Sequence, residues 1–231
     1  MGIQRIGVMT SGGDCAGLNA AIRAVVHRAE QLNWEVWGIH RATQGLMNRP
    51  IEAARLTSLA VDPWLTAGGT ALGTTNRGNP FEFPMPDGTK QDRSAEISAG
   101  YRELGLDALI GIGGDGSLSI LNQLAIQGRW NFVGIPKTID NDVDCTERSI
   151  GFDTAVNIAT EALDRLHFTA ASHSRVMILE VMGRDAGHIA LHAGIAGGAH
   201  IILIPEIPYA LENVCAKIRE RHDAGLNFSI A

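Results

Sequence analysis

The sequence predicts an α/β fold built on doubly wound parallel sheets. Short β-branched segments alternate along the chain with longer segments of helical periodicity, which is the pattern of parallel βαβ units. Glycine-rich or polar clusters follow most of the predicted strands. Open parallel sheets bind their ligands outside the carboxyl ends of the strands. We therefore expect a ligand site at that edge of a sheet.

Hydrophobic patterning defines the individual elements. The predicted strands are residues 3–10, 34–40, 108–112, 132–135, 176–181 and 201–204. The predicted helices, each with an apolar stripe, are residues 17–32, 94–104, 117–127, 154–169, 186–196 and 211–224. Residues 44–88 are interrupted by Gly, Pro, Asn and Thr, so they predict an excursion from the sheet.

Composition excludes several classes of protein. The chain has 231 residues, of which 45% are hydrophobic, and this favours a globular protein with a core. Its 19 Lys and Arg against 25 Asp and Glu give a net charge of −6 without any basic run, so we expect no nucleic-acid partner. The apolar runs are far shorter than the roughly 20 residues that span a bilayer, so we expect no membrane partner. Three widely separated cysteines favour a reducing cytoplasm.

Residues 111–116 match the pattern G-x-G-x-x-G, which raises the question of a dinucleotide site. Such a site needs an acidic residue at the end of the next strand, whereas that strand ends in Gly134-Ile-Pro-Lys137. Asp115 within the loop would repel a bare pyrophosphate, but it can hold Mg²⁺ that arrives with a nucleotide. The loop therefore predicts a site for a Mg-nucleotide.

A second acidic element contains Thr138, Asp140 and Asp142. An isolated Asp-Asn-Asp is usually a solvated turn, but this one follows a strand beside the predicted phosphate loop. Phosphoryl transfer to an alcohol needs a carboxylate that accepts the hydroxyl proton and a cation that stabilises the transferred group. We expect Asp140 to be that base and Arg184 or Mg²⁺ to be that cation.

These motifs, in their order and spacing, resemble the 6-phosphofructokinase family along essentially the whole chain. The motifs are Thr10-Ser-Gly-Gly-Asp14, Gly113-Gly-Asp-Gly-Ser117, Pro136-Lys-Thr-Ile-Asp-Asn-Asp142, Ile150-Gly-Phe152, Glu180-Val-Met-Gly-Arg184 and Ala196-Gly-Gly198. The resemblance implies two Rossmann-like domains with the active site between them, residues 1–149 binding the nucleotide and residues 150–231 the sugar phosphate. It also implies transfer of the ATP γ-phosphoryl group to the 1-hydroxyl of fructose 6-phosphate, which gives fructose 1,6-bisphosphate in glycolysis.

The resemblance also implies roles for single residues. The residues implied for ATP are Gly13, Arg77, Gly114, Gly116 and Ser117, and the residue implied for Mg²⁺ is Asp115. Those implied for the sugar phosphate are Thr138, Asp140, Asp142, Arg175, Met182, Gly183 and Arg184, of which Asp140, Arg184 and Thr138 are catalytic. The family counterpart of Arg175 reaches a neighbouring subunit's site, so we expect a homo-oligomer, either a dimer or a tetramer.

The chain departs from the family pattern at its end and at the effector site. It stops at Ala231, before the family's remaining sugar-phosphate ligands, so we expect a C-terminally truncated chain that is inactive alone and has an incomplete second domain. Arg23 matches one arginine of the bacterial effector site, whereas His27 and His167 stand where two others belong. The allosteric effector is therefore left open.

Two residues point to different phosphoryl donors. Pyrophosphate-using relatives carry Asp where this chain has Gly116 and Lys where it has Lys137, so the pattern here is mixed. A carboxylate at position 116 would repel the α-phosphate of a nucleotide, so Gly116 favours ATP. The alternatives are a pyrophosphate-dependent phosphofructokinase and a non-catalytic regulatory subunit. Lipid and NAD kinases share the Gly-Gly-Asp-Gly loop but lack the two motifs at 136–142 and 182–184.

Overall fold

The structure is a computed structural model that describes residues 2–75 and 78–231. The chain divides into two compact units. The first unit comprises Met1–Thr138 and Val143–Thr146, and the second comprises Ile139–Asp142 and Glu147–Ala231. Within the described ranges, no helix has both the length and the apolar character that crossing a membrane requires.

The first unit contains the elements that carry the predicted nucleotide loop. Its strands are β1 (Arg5–Ser11), β2 (Glu35–Ile39), β3 (Ala53–Leu56), β4 (Phe83–Pro84), β5 (Lys90–Gln91), β6 (Ala108–Gly113) and β7 (Asn131–Thr138). Its α-helices are α1 (Leu18–Gln31), α2 (Thr43–Met47), α3 (Ser58–Val61), α4 (Ser94–Glu103) and α5 (Asp115–Gly128), and its 3₁₀ turns are Asp62–Thr66 and Pro80–Glu82. The bounds of α1, α4 and α5 lie within two residues of those predicted from the sequence.

The sheet of the first unit has the strand order β3-β2-β1-β6-β7. Its pairs β2-β1, β1-β6 and β6-β7 are parallel, as the alternating pattern predicts. The register places Ser11 beside Gly113, and Gly113 beside Pro136. Because parallel strands end at the same edge, the loops that follow these strands leave the sheet side by side.

The central strand of this sheet is covered on both faces. Residues 6–10 of β1 are all buried, which is typical of a parallel strand between two layers of helices. Val8 and Met9 are fully buried, as are Ile22 on α1 and Leu124 on α5. Each such side chain stabilises the fold by roughly 1.5–3 kcal/mol. This burial fixes the positions from which the glycine loops start.

The predicted excursion from the sheet is only partly observed. Residues 53–56, inside the segment expected to leave the sheet, return as β3 and pair antiparallel with β2. The physical reason is the contact of Leu56 with the bare backbone of Gly38, where an added Cβ would lie 2.9 Å from a Leu56 methyl. Leu56 is buried there together with Leu72, so the edge strand carries an apolar side chain into the core.

The second unit is built around a long helix. Its strands are β8 (Ile150–Gly151), β9 (Val176–Met177) and β10 (Ser229–Ile230), and its helices are α6 (Phe152–His173), α7 (His188–Ala196) and α8 (Leu211–Asp223). Phe152 and Leu163 of α6, Ile189 and Ala193 of α7 and Ile230 of β10 form its buried core. β9 and β10 pair in parallel.

Two strand predictions in the second unit are wrong, one because the strand is shorter than predicted and the other because no strand forms. Of residues 176–181 only Val176–Met177 form a strand, and residues 201–204 form none. Both segments do hydrogen-bond at β10 or next to it, since Ile201 N donates to the carbonyl oxygen of Ile230 and Leu179 N donates to that of Ala231, the residue after the strand. A ladder needs successive pairs, and the pairing with β10 ends at these residues.

The packing of α4 on α2 yields a first prediction. A Cβ at Gly100 of α4 would overlap the carbonyl oxygen of Leu46 on α2. Gly100→Ala must push the two helices apart, so we expect the free energy of unfolding to fall by about 1–3 kcal/mol in urea denaturation.

The matched control for this change is Gly68→Ala. A Cβ at Gly68 meets no atom within 4 Å, and its φ lies outside the left-handed region. We expect its stability to stay within about 0.5 kcal/mol of the parent chain. Equal stability of both variants would contradict the described contact between the helices.

Candidate functional site

The loop after β1 is held in place by hydrogen bonds to threonines. Gly12 has a φ of +85°, in the region that favours glycine. Its N–H donates to the carbonyl oxygen of Thr75 at 3.0 Å, and Thr74 Oγ1 donates to its carbonyl oxygen at 2.6 Å. A Cβ at the next residue, Gly13, would meet nothing within 4 Å. The backbone at Gly13 therefore faces open space that a ligand can enter.

The loop after β6 leads directly into α5. Gly114 precedes the helix in an extended conformation, and Asp115 is its first residue. A Cβ at Gly113 would lie 2.8 Å from Ser117 Cβ, whereas a Cβ at Gly116 would meet nothing within 4 Å. The first N–H groups of a helix lack intrahelical acceptors, and the helix dipole favours anions at this end. Bare backbone at Gly116 thus leaves room for phosphate oxygens close to these donors.

Lys137 lies between these two loops. Only 5% of its surface is exposed. Its Nζ is 3.8 Å from the position that a Cβ would take at Gly12, and its carbonyl oxygen is 3.4 Å from the corresponding position at Gly114. Lys137, which in the sequence is an indicator of the phosphoryl donor, is not among the site residues predicted from the sequence. Lys137 lies beside the loops because the residue before it, Pro136, pairs with Gly113 in the sheet. This register is not visible in the sequence.

A cavity of about 270 Å³ adjoins the loops. It is lined by Ser11, Gly12, Gly116, Ser117, Ile120 and Leu121, and by Thr43, Thr75, Gly78, Asn79 and Pro80. The second group comes from the segment between β2 and β4, and apart from Arg77 no residue of that segment was predicted to lie in the site. The enrichment of the segment in Thr, Asn and Gly is the feature of the sequence that could have indicated its contribution. The cavity combines hydroxyl and amide groups with an apolar floor, which is typical of a small-molecule site.

The cysteine beside the first loop has the properties of a packing residue rather than of a nucleophile. Cys15 is buried, and burial raises the pKa of its thiol, although the positive charge of Lys137 acts in the opposite direction. The thiolate is the reactive form of cysteine. Cys15 therefore contributes packing at this loop rather than a nucleophile.

In the second unit, Asn141 fixes the turn that carries the two predicted carboxylates. Its φ is +55°, and its Oδ1 accepts a hydrogen bond from Ser149 N at 2.8 Å. Its Nδ2 donates to the carbonyl oxygen of Glu147 at 3.1 Å. The central residue of Asp-Asn-Asp is thus structural, and it holds Asp140 and Asp142 on either side of a defined turn. Asp142 is exposed, and one carboxylate oxygen of Asp140 is buried.

The turn before α7 requires glycine. Gly183 has a φ of +149°, and a Cβ there would overlap the carbonyl oxygen of Ala186. The other end of the turn is held by Glu206, whose Oε1 accepts a hydrogen bond from Gly187 N at 2.7 Å. This hydrogen bond is the main cause that lowers the pKa of Glu206. The turn presents the exposed side chains of Met182 and Arg184.

Arg175 lies just beyond the end of α6. Ser174 ends that helix in the left-handed conformation, with a φ of 49°. The backbone of Arg175 is tied on both sides, because its N–H donates to Ala170 O and its carbonyl oxygen accepts from Ser229 N. Its side chain is exposed. A guanidinium on such an anchored backbone is available to a charged partner.

Each unit collects a different part of the predicted site. The first unit brings together, at the ends of its parallel strands, Gly13, Gly114, Asp115, Gly116, Ser117 and Thr138. The second unit carries Asp140, Asp142, Arg175, Met182, Gly183 and Arg184. Arg77 lies outside the described residues. Among the residues that are described, no group of three or more His, Cys, Asp or Glu side chains is placed to hold a metal ion.

The paired histidines of α7 pack against an aromatic ring. The rings of His188 and His192 lie edge-on to Phe152, with centroids 6.4 and 5.2 Å away. His192 Nδ1 also hydrogen-bonds to the carbonyl oxygen of His188 at 2.9 Å. Their spacing of four residues lets both rings contact Phe152, with His192 on the exposed side of that contact.

Comparison with known sequences identifies the family. A sequence model of the Phosphofructokinase family matches residues 5–231. ATP-dependent 6-phosphofructokinase 1 of Nostoc sp. is 69% identical over 227 residues, which cover 98% of this chain and 63% of that protein. ATP-dependent 6-phosphofructokinase 1 of Synechocystis sp. is 70% identical over 229 residues, which cover 99% of this chain and 63% of that protein. The chain thus spans less than two thirds of the length of these curated relatives.

Comparison with solved structures gives the same fold. Phosphofructokinase from Saccharomyces cerevisiae superposes with a TM-score of 0.82 at 33% identity, over 98% of this chain and 33% of that one. A pyrophosphate-dependent phosphofructokinase from Marinobacter aquaeolei gives 0.82 at 23% identity, over 99% of this chain and 59% of that one, and supports the fold alone. From the glycine loops to the turn before α7, sequence and structure agree: the chain belongs to the phosphofructokinase family.

Proposed function

We propose that the protein transfers the γ-phosphoryl group of ATP to the 1-hydroxyl of fructose 6-phosphate, giving fructose 1,6-bisphosphate in glycolysis. The observation that carries this proposal is the pair of open glycines, Gly13 and Gly116, at neighbouring strand ends beside the start of α5. Two relatives of about 70% identity are named ATP-dependent 6-phosphofructokinases, which supports ATP as the donor. We assign nucleotide binding to residues 1–149 and sugar-phosphate binding to residues 150–231.

The phosphates of ATP are assigned to the two glycine loops. Gly13, Gly114, Gly116 and Ser117 contribute backbone N–H groups and one hydroxyl, and the absence of Cβ atoms lets the oxygens come close. The buried charge of Lys137 beside both loops offsets part of the phosphate charge. We assign Arg77 to the nucleotide as well, on the resemblance alone.

Asp115 fits a magnesium ion that arrives with the nucleotide. Mg²⁺ prefers carboxylate and phosphate oxygens and keeps several of its waters, so it needs few protein ligands. Asp115 is an exposed carboxylate at the start of α5, which suits this ligand set. When bound, Mg²⁺ would neutralise charge on the phosphate oxygens.

We assign the proton transfer to Asp140. A carboxylate within hydrogen-bond reach of the 1-hydroxyl accepts its proton as the oxygen attacks phosphorus. The turn fixed by Asn141 holds Asp140 in a defined position, and Thr138 and Asp142 are assigned to orient the sugar. Arg184 supplies positive charge to the transferred group, on a turn whose shape depends on Gly183 and Glu206.

The remaining assignments concern the sugar phosphate and the assembly. Met182 and Gly183 are assigned to the sugar, and the exposed Arg175 to the phosphate of a substrate bound by a neighbouring subunit. This role requires a homo-oligomer, which we propose to be a dimer or a tetramer. We place the protein in the cytoplasm, with fructose 6-phosphate and ATP as its small-molecule partners.

The function is tested first through its base. The 231-residue chain is extended with the residues that follow the matched region in the Nostoc relative, so that turnover can be measured. In this chimaera, Asp140→Ser removes the proton acceptor, and we expect kcat to fall by about 10² to 10⁴ with nearly unchanged affinity for ATP. A coupled assay gives kcat and the KM for each substrate.

Asp144→Ser is the control for this experiment. Asp144 is an exposed carboxylate of the neighbouring loop and belongs to no assigned site. Its replacement is expected to leave kcat within about twofold of the parent, as for a surface change away from the chemistry. An Asp140→Ser chimaera that turns over like the Asp144→Ser chimaera would refute the assignment of the base.

The phosphoryl donor is tested at position 116. Gly116→Asp places a carboxylate where the α-phosphate of a nucleotide would lie, so we expect kcat/KM for ATP to fall more than kcat/KM for pyrophosphate. Gly116→Ala adds bulk without charge in open space and is expected to keep the preference for ATP. If the parent chimaera already prefers pyrophosphate, Lys137 was the better indicator and ATP is not the donor.

The 231-residue chain by itself provides a further test. Its two glycine loops and Asp115 are complete, so calorimetry should detect binding of Mg-ATP, and Asp115→Asn should weaken that binding when Mg²⁺ is present. The family's other sugar-phosphate ligands, whose charge-assisted contacts contribute roughly 1.5–3 kcal/mol each, are not among its residues, so no turnover of fructose 6-phosphate is expected. Rapid turnover, or a folded chain without affinity for Mg-ATP, would contradict these assignments.

A further inference from the structure

Residues 67–75 form neither a helix nor a strand. They follow the 3₁₀ turn Asp62–Thr66 and lead to Thr75, which lines the cavity beside the glycine loops. In a helix or a sheet the backbone groups satisfy one another, but an irregular segment needs other hydrogen-bond partners for them. The conformation of residues 67–75 therefore depends on the side chains that hold them.

Asn19 of α1 holds the first part of this segment. Its side chain is buried, with only 2% of the residue exposed. Its Nδ2 donates to the carbonyl oxygens of Ala67 at 3.0 Å and Gly68 at 3.1 Å, and its Oδ1 accepts from Ala71 N at 2.8 Å. A primary amide combines two donors with an acceptor and carries no charge, which is what this buried position needs.

Thr10 of β1 holds the middle of the same segment. It is 1% exposed, and its Oγ1 donates to the carbonyl oxygen of Gly73 at 2.9 Å. Its Oγ1 also lies 2.8 Å from Thr70 Oγ1. Because Thr10 has a single hydroxyl proton and gives it to Gly73, Thr70 is the donor in the second bond. The segment is thus tied to both the central strand and the helix that follows it.

The end of the segment clamps the glycine loop after β1. Thr74 donates to the carbonyl oxygen of Gly12, and Gly12 N donates to the carbonyl oxygen of Thr75. Both backbone groups of Gly12 are therefore bound by residues 74 and 75. A displacement of the segment must move Gly12, and with it the open backbone at Gly13.

We propose that Asn19 is a positioning residue of the nucleotide site. It touches no part of the cavity lining, but by fixing residues 67–71 it fixes the segment that clamps Gly12 and so the approach of a ligand to Gly13. The inference rests on the proposed function in one respect, namely that the ligand of this loop is the phosphate chain of a nucleotide.

The first test measures the loop itself. Asn19→Leu keeps a side chain of similar size and removes the hydrogen bonds of the amide. Hydrogen exchange at Gly12 N is compared with exchange at Val8 N, in the middle of β1. We expect the protection of Gly12 to fall by about tenfold or more relative to that of Val8, because the segment opens locally while β1 stays folded.

Thr70→Val gives the same test at a half-buried position. It removes one hydroxyl and keeps the shape of the side chain. We expect the protection of Gly12 relative to Val8 to fall by about threefold or more, in proportion to the single bond that is lost. This variant decides the question if Asn19→Leu does not fold.

Val26→Ala is the matched control. Val26 is fully buried on the same helix, and its truncation leaves a cavity in the core. We expect it to lower the stability of the first unit as a whole, and to keep the ratio of protection at Gly12 and Val8 within about twofold of the parent chain.

Calorimetry with Mg-ATP measures the consequence for binding. A loop that is no longer held must be ordered when the ligand binds, so Asn19→Leu is expected to weaken the affinity by about fivefold or more. Val26→Ala is expected to stay within about twofold of the parent. A parent chain without affinity for Mg-ATP would refute the proposed function, and the exchange comparison would then decide by itself whether Asn19 holds the loop.

Three results would overturn the proposal. One is an unchanged ratio of protection in Asn19→Leu and Thr70→Val, and another is an equal fall in Val26→Ala. The third is a loosened Gly12 in a chain that binds Mg-ATP as tightly as the parent. Loss of protection at Gly12 together with weaker binding, in Asn19→Leu but not in Val26→Ala, supports it.

Discussion

The register of β1, β6 and β7 determines where each loop of the first unit begins. Ser11, Gly113 and Pro136 lie side by side because the three strands that contain them are parallel and pair in this register. A slip by one residue would turn the buried side chains of β1 to the opposite face and place a side chain where Gly7 leaves room for Leu106 and Leu109, so the packing of the core opposes it. The pairing of these strands and the burial of their side chains therefore fix the positions of the polar loops. The buried side chains themselves have no chemical role in the loops.

Glycine serves two opposite purposes in the site. At Gly113 and Gly183 neighbouring atoms occupy the place of a Cβ, so these residues let the backbone pack tightly against itself. At Gly13 and Gly116 that place is empty, so nothing within the protein excludes a side chain there. Packing explains the first pair, whereas the open space at the second pair is the room that the proposed phosphate site would use. This contrast separates glycines that packing requires from glycines that it does not require, which the sequence motif presents as equivalent.

The features that could be predicted from the sequence are those that depend on local patterns. Helical periodicity located α5 and the glycine loop before it, and alternation along the chain predicted the parallel sheet. The return of β3, the contribution of Thr75 and Asn79 to the cavity, and the place of Lys137 depend on contacts between distant segments. Residues 201–204 have the composition of a strand, but forming one requires a continuous partner, which composition does not reveal.

The proposed nucleotide site would have to bind anions in a protein that is acidic overall. The net charge of −6 disfavours the approach of a polyphosphate at long range, and Asp115 adds a negative charge at the loop itself. At the proposed site, attraction would come instead from local groups, namely the N-terminal amides of α5 and the buried Lys137 between the loops. In the proposed function, a metal ion that arrives with the nucleotide would lower the ligand's charge, and Asp115 would then be a ligand of that ion rather than a repulsive group. The same acidic residue that would repel a bare phosphate chain would thus favour one that carries its own cation.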